Sequence, residues 1–375
     1  MKHSFRNRWG KSPWRWAVQR GDEKVPARAD FVVIGGGFSG LSAATWLGRM
    51  ARGKKVVLLE AEKIGAGASG RTGGMTLAET AGGDLPALGD VLGGFTDILR
   101  ELGIACDFLS HGAWEIGRKK GLRGSEISWR DSGRLRVMRQ VPGGTVDAGK
   151  LLGGLARAAL AARVTILEKR AVTGLKAGKA IRVVTAEQEI LAGSVLIATN
   201  AQSLELGGLQ DLAVPKLTMA VATEPLSEQV VKRIGMASRR PFYTVDFPYL
   251  WGRLTQNNRA IFGSGLLSVR DWEELHTLDV SEGHGAAVLE SVKTRVRGLH
   301  PALREVKFTH AWGGPILFTD KMRPIFRHIA RRSARTGRQV IYLGGYNGHG
   351  VALSVYLGRW AAEALLGKRK LPDWQ

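Results

Sequence analysis

The sequence contains little cysteine and no long apolar run. Its single cysteine, Cys106, excludes an internal disulfide and a thiolate metal cluster, and sparse cysteine is typical of the reducing cytoplasm. A transmembrane helix needs about 20 consecutive apolar residues, and the chain has no such stretch. The first 30 residues also lack the apolar segment of about 7–15 residues that marks a signal peptide. We therefore expect a soluble, cytoplasmic protein.

Acidic residues are far outnumbered by basic ones. The chain has 55 Lys and Arg against 33 Asp and Glu, which gives a net charge of +22. The basic residues concentrate in an N-terminal arm, residues 1–29, and in segments 118–139 and 321–370. Such a charge attracts nucleic acid or anionic lipid non-specifically. A solvated basic face would give the same composition, so the charge alone identifies no partner.

Length and composition indicate a globular protein with two lobes. A chain of 375 residues is longer than one hydrophobic core usually spans. It is 44% hydrophobic and 23% charged, as in ordinary globular proteins. Its 50 glycines cluster in a few runs, which is typical of tight turns and of backbone that lies close to a ligand.

The pattern of apolar residues predicts a βαβ unit at the start of the body. Residues 31–34 and 56–59 are short apolar runs typical of buried parallel strands, and residues 41–50 have helical spacing. Residues 214–267 instead alternate and are rich in aromatics, which indicates an antiparallel sheet. Other predicted elements are helices at 148–162, 280–300 and 351–366 and strands at 164–167, 195–198 and 340–343.

A glycine motif lies where the first strand meets the helix. Gly35, Gly37 and Gly40 satisfy G-x-G-x-x-G. The first glycine permits the tight turn, the second lets a pyrophosphate approach the backbone, and the third lets helix and strand pack closely. Glu60, twenty residues further on, would accept hydrogen bonds from a ribose. The motif predicts a bound dinucleotide, but its spacing does not separate FAD from NAD.

A second glycine-rich segment, residues 65–74, favours FAD. Its small residues would let the chain wrap closely around the pyrophosphate and the flavin ring, and Ser69 and Arg71 offer hydrogen-bond donors.

Five motifs, in the same order, resemble those of the D-amino-acid-oxidase-like FAD oxidoreductases. They are G-A-S-G-R-T-G-G at 67–74, P-G-G leading to L-L at 142–152, A-T-N-A at 198–201, W-G-G at 312–314 followed by Pro324, and G-G-Y-N-G-H-G at 344–350. The chain looks most like the branch that contains the γ-glutamylputrescine oxidases, and the resemblance covers about residues 12–367.

This resemblance implies a fold and a division of the chain. The fold class would be α/β, with a Rossmann-like FAD-binding domain and a smaller α+β lobe built on an antiparallel sheet. The FAD-binding domain would be discontinuous, over residues 30–110, 141–210 and 308–370. The substrate domain would comprise residues 111–140 and 211–307.

It also implies a cofactor site that uses both ends of the chain. Val172 resembles the family residue whose backbone meets adenine. The turn at 345–351 would place backbone amides beside the pyrimidine edge of the flavin, with His349 near it as a candidate catalytic residue. A histidine that only braces the turn is the alternative. The full set of expected cofactor-binding residues is Gly35, Gly37, Phe38, Ser39, Gly40, Glu60, Ala61, Ala68, Ser69, Arg71, Thr72, Gly73, Gly74, Val172, Thr199, Asn200, Gly345, Tyr346, Gly348, His349, Gly350 and Val351.

The mode of flavin attachment follows from a departure from the family pattern. Some relatives attach flavin through a cysteine near the C-terminus or through a histidine soon after the first motif. Cys106 is in neither place, and Arg71-Thr72 contains no histidine. We therefore expect non-covalent FAD.

Two further departures concern the substrate and the electron acceptor. Amino-acid-oxidising relatives often carry a carboxylate-binding arginine where this chain has residues 313–316, and its loss favours an amine. Arg253, on an aromatic strand, could substitute for it. A lysine that assists oxygen in some relatives is replaced by Ile261, so the acceptor could be oxygen or another carrier.

The expected reaction is oxidation of a C–N bond of an amine or amino acid, with hydride transfer to the flavin and hydrolysis of the imine. Candidate residues of the substrate wall are Trp251, Arg253, Tyr243, Phe247 and Tyr249, although plain sheet packing would give the same aromatic stripe.

One alternative function is that of a tRNA-modifying enzyme with a related FAD module. The net charge of +22 would suit an RNA partner, although no recognised RNA-binding motif is present. Another is a hydroxy-acid dehydrogenase that passes electrons to a quinone while the basic arm binds anionic lipid.

Overall fold

The structure, a computed structural model, describes residues 8–18, 24–119, 126–178, 180–202, 204–330 and 337–374. Parts of the basic arm (1–7 and 19–23) and of the two basic segments (120–125 and 331–336) thus lie outside the described residues.

The helices are α1 Phe38–Met50, α2 Val91–Glu101, α3 Ala148–Ala161, α4 Glu228–Arg233, α5 Trp272–Thr277, α6 Gly283–Leu299 and α7 Gly350–Leu365. The strands are β1 Arg28–Ile34, β2 Val56–Leu59, β3 Met75–Leu77, β4 Ala113–Gly117, β5 Ser128–Arg130, β6 Arg134–Val141, β7 Gly143–Thr145, β8 Thr165–Leu167, β9 Val172–Ala177, β10 Ile181–Thr185, β11 Glu189–Ile197, β12 Ala213–Pro225, β13 Phe242–Thr244, β14 Leu250–Leu254, β15 Arg259–Ser268, β16 Phe308–Thr319, β17 Ile325–Ala330 and β18 Val340–Gly344.

A parallel sheet forms the core of the first lobe. Its strands run β18-β11-β1-β2-β8, all parallel, with β17 antiparallel at one edge and the β9–β10 hairpin paired to β11. Residues 56–59 are all buried, as expected for a strand covered on both faces. Helices α1 and α7 pack against each other over this sheet. The carboxyl ends of β1 and β11 therefore meet at one edge, where a ligand is expected in such sheets.

The second lobe contains the other large sheet, in the order β16-β12-β15-β14-β13-β4-β6-β5. Its pairs are antiparallel except β13 with β4. Trp129, Phe242 and Phe262 pack edge-to-face or tilted inside it, with ring centroids 4.8–6.3 Å apart. Helix α6 covers β12 and β15. This sheet supplies one wall of the cleft described below.

The expected fold class is confirmed: a Rossmann-like lobe is joined to an α+β lobe with a largely antiparallel sheet. The second sheet has as many strands as the first, so in strand count it is not the smaller one. By strand pairing β16 belongs to the second sheet, although the sequence suggested the FAD-binding range for residues 308–319. We keep the two-domain division as a proposal and assign β16 to the substrate domain.

The described part of the N-terminal arm connects the two lobes. Trp9 is fully buried in the core of the second lobe, and Trp14 is buried in the core of the first. The backbone NH of Gly313, in β16, donates to the carbonyl of Trp9 over 2.8 Å. The arm is thus part of the packed body. Among the described residues, no helix has the length and apolar character needed to cross a membrane.

Candidate active site

A cleft of about 780 Å³ lies between the two lobes. It begins at the carboxyl ends of β1 and β11 and ends against β13, β14 and β15 of the second sheet. Expected site residues that line it are Gly35, Gly37, Phe38, Ser39, Glu60, Ala68, Ser69, Arg71, Thr72, Gly73, Thr199, Asn200, Trp251, Tyr346, Gly348, His349, Gly350 and Val351. The structure therefore brings most of the expected residues to one cleft, from segments far apart in the chain.

The glycine motif requires glycine for steric reasons. Gly35 has a φ of +107°, in the region that side chains disfavour. A Cβ on Gly40 would lie 1.9 Å from the carbonyl oxygen of Gly35, so helix α1 could not approach β1 so closely. The backbone NH of Phe38, at the start of α1, donates to Ser69 Oγ over 2.9 Å. This bond fixes the glycine-rich segment 65–74 beside the helix N-terminus.

Glu60 is a half-buried residue directly after β2. Its two oxygens accept hydrogen bonds from the backbone NH groups of Gly36 (2.7 Å) and Glu62 (2.9 Å). Burial raises its pKa from 4.5 to about 7, against the opposing effect of these two bonds. Each oxygen keeps a lone pair for a ribose hydroxyl. The carboxylate is therefore suited to the adenosine ribose of a dinucleotide.

Arg71 braces the backbone that surrounds the site. Its guanidinium donates to the carbonyls of Ala66 (3.3 Å), Trp9 (3.1 Å), Gly10 (3.0 Å) and Gly313 (3.1 Å). The side chain is buried and contacts the cleft at its edge. It ties the glycine-rich segment to the arm and to β16.

The turn after β18 closes the cofactor end of the cleft. The hydroxyls of Ser39 and Tyr346 are hydrogen-bonded over 2.6 Å, and Asn200 Oδ1 accepts from the backbone NH of Gly345 over 2.9 Å. Burial lowers the pKa of His349, which precedes α7, so its imidazole is neutral at pH 7. These contacts bring together three segments that the sequence analysis placed at the cofactor.

Two buried polar atoms at this end have no hydrogen-bond partner among the described residues. They are Thr199 Oγ1 and His349 Nδ1, and both residues line the cleft. Buried polar groups in proteins are almost always hydrogen-bonded, so such atoms indicate a ligand. Together with the glycine cradle and Glu60, the Thr199 hydroxyl fits FAD.

The opposite wall is aromatic. The indole of Trp251 lies between Gly73 and Gly263, since a Cβ at either glycine would fall within 2.2 Å of its ring atoms. Phe247 and Tyr249 flank the cis peptide at Pro248 and are 73% and 43% exposed, with ring centroids 4.1 Å apart. The glycines fix the position of Trp251 at the junction between the cofactor half and the substrate half.

Arg253 does not lie where it could bind a substrate carboxylate, as the sequence analysis had suggested. Its buried guanidinium donates to the carbonyls of Gly74 (3.0 Å), Val146 (2.5 Å) and Leu254 (3.0 Å), and it is absent from the cleft lining. Burial lowers its pKa to about 10. The geometry thus gives it a bracing position. Other expected residues that do not line the cleft are Gly40, Ala61, Gly74, Val172 and Gly345.

Two carboxylates of the cleft lining were missed by the sequence analysis. Glu115, on β4, accepts from Arg139 (3.0 and 2.8 Å) and from the hydroxyl of Tyr243 (3.3 Å). Glu79, just after β3, also lines the cleft. Neither lies in a motif. Side chains alternate along paired strands, so a prediction that β4 pairs with β13 could have placed Glu115 beside Tyr243. No sequence pattern around Glu79 marks it as a cleft residue.

Comparisons with known proteins agree with this geometry. Residues 30–364 match the family model described as FAD dependent oxidoreductase. The probable oxidoreductase OrdL of Haemophilus influenzae is 28% identical over 90% of this chain and 83% of its own length. The gamma-glutamylputrescine oxidoreductase of Escherichia coli is 29% identical over 90% and 84%. Glycine oxidase from Geobacillus kaustophilus shares the fold, with a TM-score of 0.71, 18% identity, and coverage of 93% of this chain and 97% of that one.

Proposed function

Because the chain belongs to the family of FAD-dependent oxidoreductases, and therefore uses FAD, we propose that it oxidises a C–N bond of an amine. The observation that carries this proposal is the composition of the substrate half of the cleft. Of the described lining residues, Arg71 alone carries a fixed positive charge, and its guanidinium is engaged with backbone carbonyls. Residues 314–316, where a carboxylate-binding arginine was expected in amino-acid oxidases, present only glycine, proline and isoleucine. Such a wall offers a substrate carboxylate no cationic side chain other than this engaged arginine.

The cofactor would be held by the residues already described. Glu60 would accept from the adenosine ribose, and the amides at the start of α1 would bind the pyrophosphate. The turn before α7 would contact the flavin, with Thr199 donating or accepting through its unpartnered hydroxyl. When bound, FAD supplies an acceptor for the hydride from the carbon next to nitrogen. No protein residue needs to abstract that hydrogen.

The remaining steps fall to the chain. The aromatic wall of Tyr243, Tyr249 and Trp251 would hold the alkyl part of the substrate and exclude water. His349, neutral at pH 7, can accept a hydrogen bond from the amine without adding a repelling charge. The product imine would then take up water to give an aldehyde and ammonia.

Non-covalent attachment of FAD and a cytoplasmic location complete the proposal. The thiol of Cys106 is buried, outside the cleft lining, and burial raises its pKa to about 12, so it is a poor nucleophile for linkage to flavin. Acid precipitation should release all the yellow colour into the supernatant, and colour retained in the pellet would contradict non-covalent binding.

The reaction is tested by anaerobic bleaching of the flavin. The purified holoenzyme is mixed with primary amines, N-methyl amino acids, D-amino acids and hydroxy acids, and absorbance near the flavin maximum is followed. We expect rapid bleaching by at least one amine and slow or no bleaching by the carboxylates. Bleaching by a hydroxy acid alone would overturn C–N oxidation.

A further inference from the structure

Glu79 is a carboxylate in the substrate half of the cleft that has no partner. It is half-buried, lines the cleft, and forms no hydrogen bond or ion pair with any described residue. Its segment is held in place nearby, because the backbone NH of Gly82 donates to the carbonyl of Met322 over 3.1 Å. A cationic ligand group that reached this carboxylate would form a charge-assisted hydrogen bond with it.

The other carboxylates of the described lining are already engaged. Glu60 is held by two backbone NH groups at the cofactor end, and Glu115 is held by Arg139 and Tyr243. Glu79 follows β3 of the two-stranded β3–β7 sheet and lines the same cleft as Glu115 and Tyr243.

A second observation points to a ligand that spans the cleft. At the cofactor end, the buried Nδ1 of His349 faces the same cavity and lacks a hydrogen-bond partner among the described residues. The cleft thus has a neutral nitrogen at one end and an unpaired carboxylate at the other. Between them the lining is aromatic, and aromatic faces attract cations and pack on methylene groups.

The charge of this cleft opposes that of the molecule. The described lining contains three glutamates and one arginine, whereas the whole chain carries +22. Two of the three glutamates, Glu79 and Glu115, lie in the substrate half, and Glu115 is paired with Arg139.

We propose that the substrate is a diamine or polyamine whose second ammonium group binds Glu79, while the amine to be oxidised lies at the His349 end. Glu79 is then the residue that determines specificity between diamines and monoamines. This inference rests on the proposed amine oxidation and names the substrate class within it.

The test compares matched substrates in anaerobic rapid mixing. Straight α,ω-diamines of three to six carbons are each paired with the n-alkylamine and the ω-amino acid of the same length. The measured quantity is the rate constant for flavin reduction divided by the substrate Kd. We expect this ratio to be about tenfold or more higher for the best diamine than for the alkylamine of the same length. The ω-amino acid should be the poorest of the three, because its carboxylate would face that of Glu79.

Three variants assign the preference to Glu79. In Glu79→Gln the ratio of diamine to alkylamine should fall to near one, whereas Glu79→Asp, which keeps the charge, should retain part of it. Asp84→Asn removes the same charge from an exposed residue of the same segment, outside the lining, and should keep the wild-type ratio. FAD content and the visible spectrum show that each variant is folded.

The outcomes separate this inference from the reaction on which it rests. Equal reduction by diamine and alkylamine in the wild type, or an unchanged ratio in Glu79→Gln, would overturn the role of Glu79 while amine oxidation stands. Reduction by no amine at all would overturn both.

Discussion

At the scale of single residues, Glu60 couples cofactor binding to pH. Its pKa in the folded protein is about 7, raised by burial from 4.5, so between these values the folded state binds a proton more strongly than the unfolded state. Its contribution to stability is therefore fully present below about pH 4.5 and is lost as the pH rises to 7. Ribose hydroxyls that donate to the carboxylate would favour its ionised form, so FAD binding below pH 7 should release a proton.

We expect the FAD dissociation constant to fall as the pH rises from 5.5 to 7 and to level off above 7. Because one proton is released, the FAD dissociation constant can change by at most about tenfold per pH unit. Titration of the apoprotein with FAD, followed by fluorescence quenching, measures this. Glu60→Gln cannot ionise and should bind more weakly with a flat profile. A wild-type affinity that is equal at pH 5.5 and 7.5 would contradict the assignment of Glu60 to the ribose.

The sequence predicted residues of local motifs well but did not predict the role of a residue whose partners are distant backbone atoms. Gly35, Gly40 and Glu60 were predictable because strand, turn and helix are neighbours in the chain and their spacing is fixed by the fold. Arg253 was not, because its partners are the carbonyls of Gly74 and Val146. A carbonyl belongs to every residue type, so nothing in the sequence marks it as the partner of a distant guanidinium.

At the scale of elements, the arm forms part of the support of the cofactor site. Trp14 Nε1 donates to the carbonyl of Thr72 over 2.7 Å, and Trp16 Nε1 donates to that of Ile64 over 2.9 Å. Ser12 Oγ donates to Gly70 over 2.7 Å. Two of these bonds hold the segment 65–74, and the third holds Ile64, directly before it.

Trp14→Phe should therefore weaken FAD binding by about fivefold, because one net hydrogen bond is worth about 1 kcal/mol. The matched control is Trp46→Phe. Both indoles are 4% exposed, but Trp46 Nε1 has no hydrogen-bond partner among the described residues. The control should leave the FAD dissociation constant within about twofold. Equal losses in the two variants would show that ring packing, and not the bond to Thr72, supports the site.

Helix α6 holds the mouth of the cleft through one side chain. Arg295 binds Asp131 through two bonds (3.0 and 2.5 Å) and donates to the carbonyls of Pro248 (2.7 Å) and Tyr249 (3.1 Å). The guanidinium fork matches this arrangement and an ammonium does not. The exposed aromatic pair is thus positioned from behind by a charged residue that does not line the cleft.

Arg295→Lys should loosen that loop and raise the KM for the preferred amine by about tenfold, with kcat changed by less than about twofold. Steady-state kinetics and FAD content measure the two effects separately. Arg297→Lys, two residues along the same helix, changes an exposed guanidinium that lies over the ring of Phe308 (5.1 Å) and should keep the wild-type KM. A fall in kcat or in FAD content with unchanged KM would place the role of Arg295 in stability of the lobe.

The elements differ in how well their sequence patterns predicted them. Residues 56–59 form β2 with the expected bounds, and α3 and α7 lie within one residue of prediction, because a largely buried strand or helix face gives these segments a strong apolar pattern. Helix α6 begins at Gly283, three residues after the predicted start. The pairing of β16 with β12 depends on contacts between segments almost a hundred residues apart, which local patterns do not encode.

At the scale of the whole molecule, the net charge of +22 and the carboxylates of the cleft act over different distances. The Debye length is about 30 Å at 0.01 M salt and about 8 Å at 0.15 M. At low salt an approaching dication therefore experiences the repulsion of the whole surface. At physiological salt that repulsion is screened beyond the cleft mouth, whereas contact with Glu79 is screened much less.

We therefore expect kcat/KM for a diamine to rise as the salt concentration increases from 0.01 to 0.15 M, the opposite of the trend for an enzyme that attracts its substrate at long range. The n-alkylamine, with one charge, should show a shallower slope. Glu79→Gln raises the net charge by only one and should keep the slope of the wild type while losing the preference for diamines. A kcat/KM that falls with salt would mean that local carboxylates, and not the basic surface, govern the encounter, because the long-range field would then be attractive at the cleft mouth.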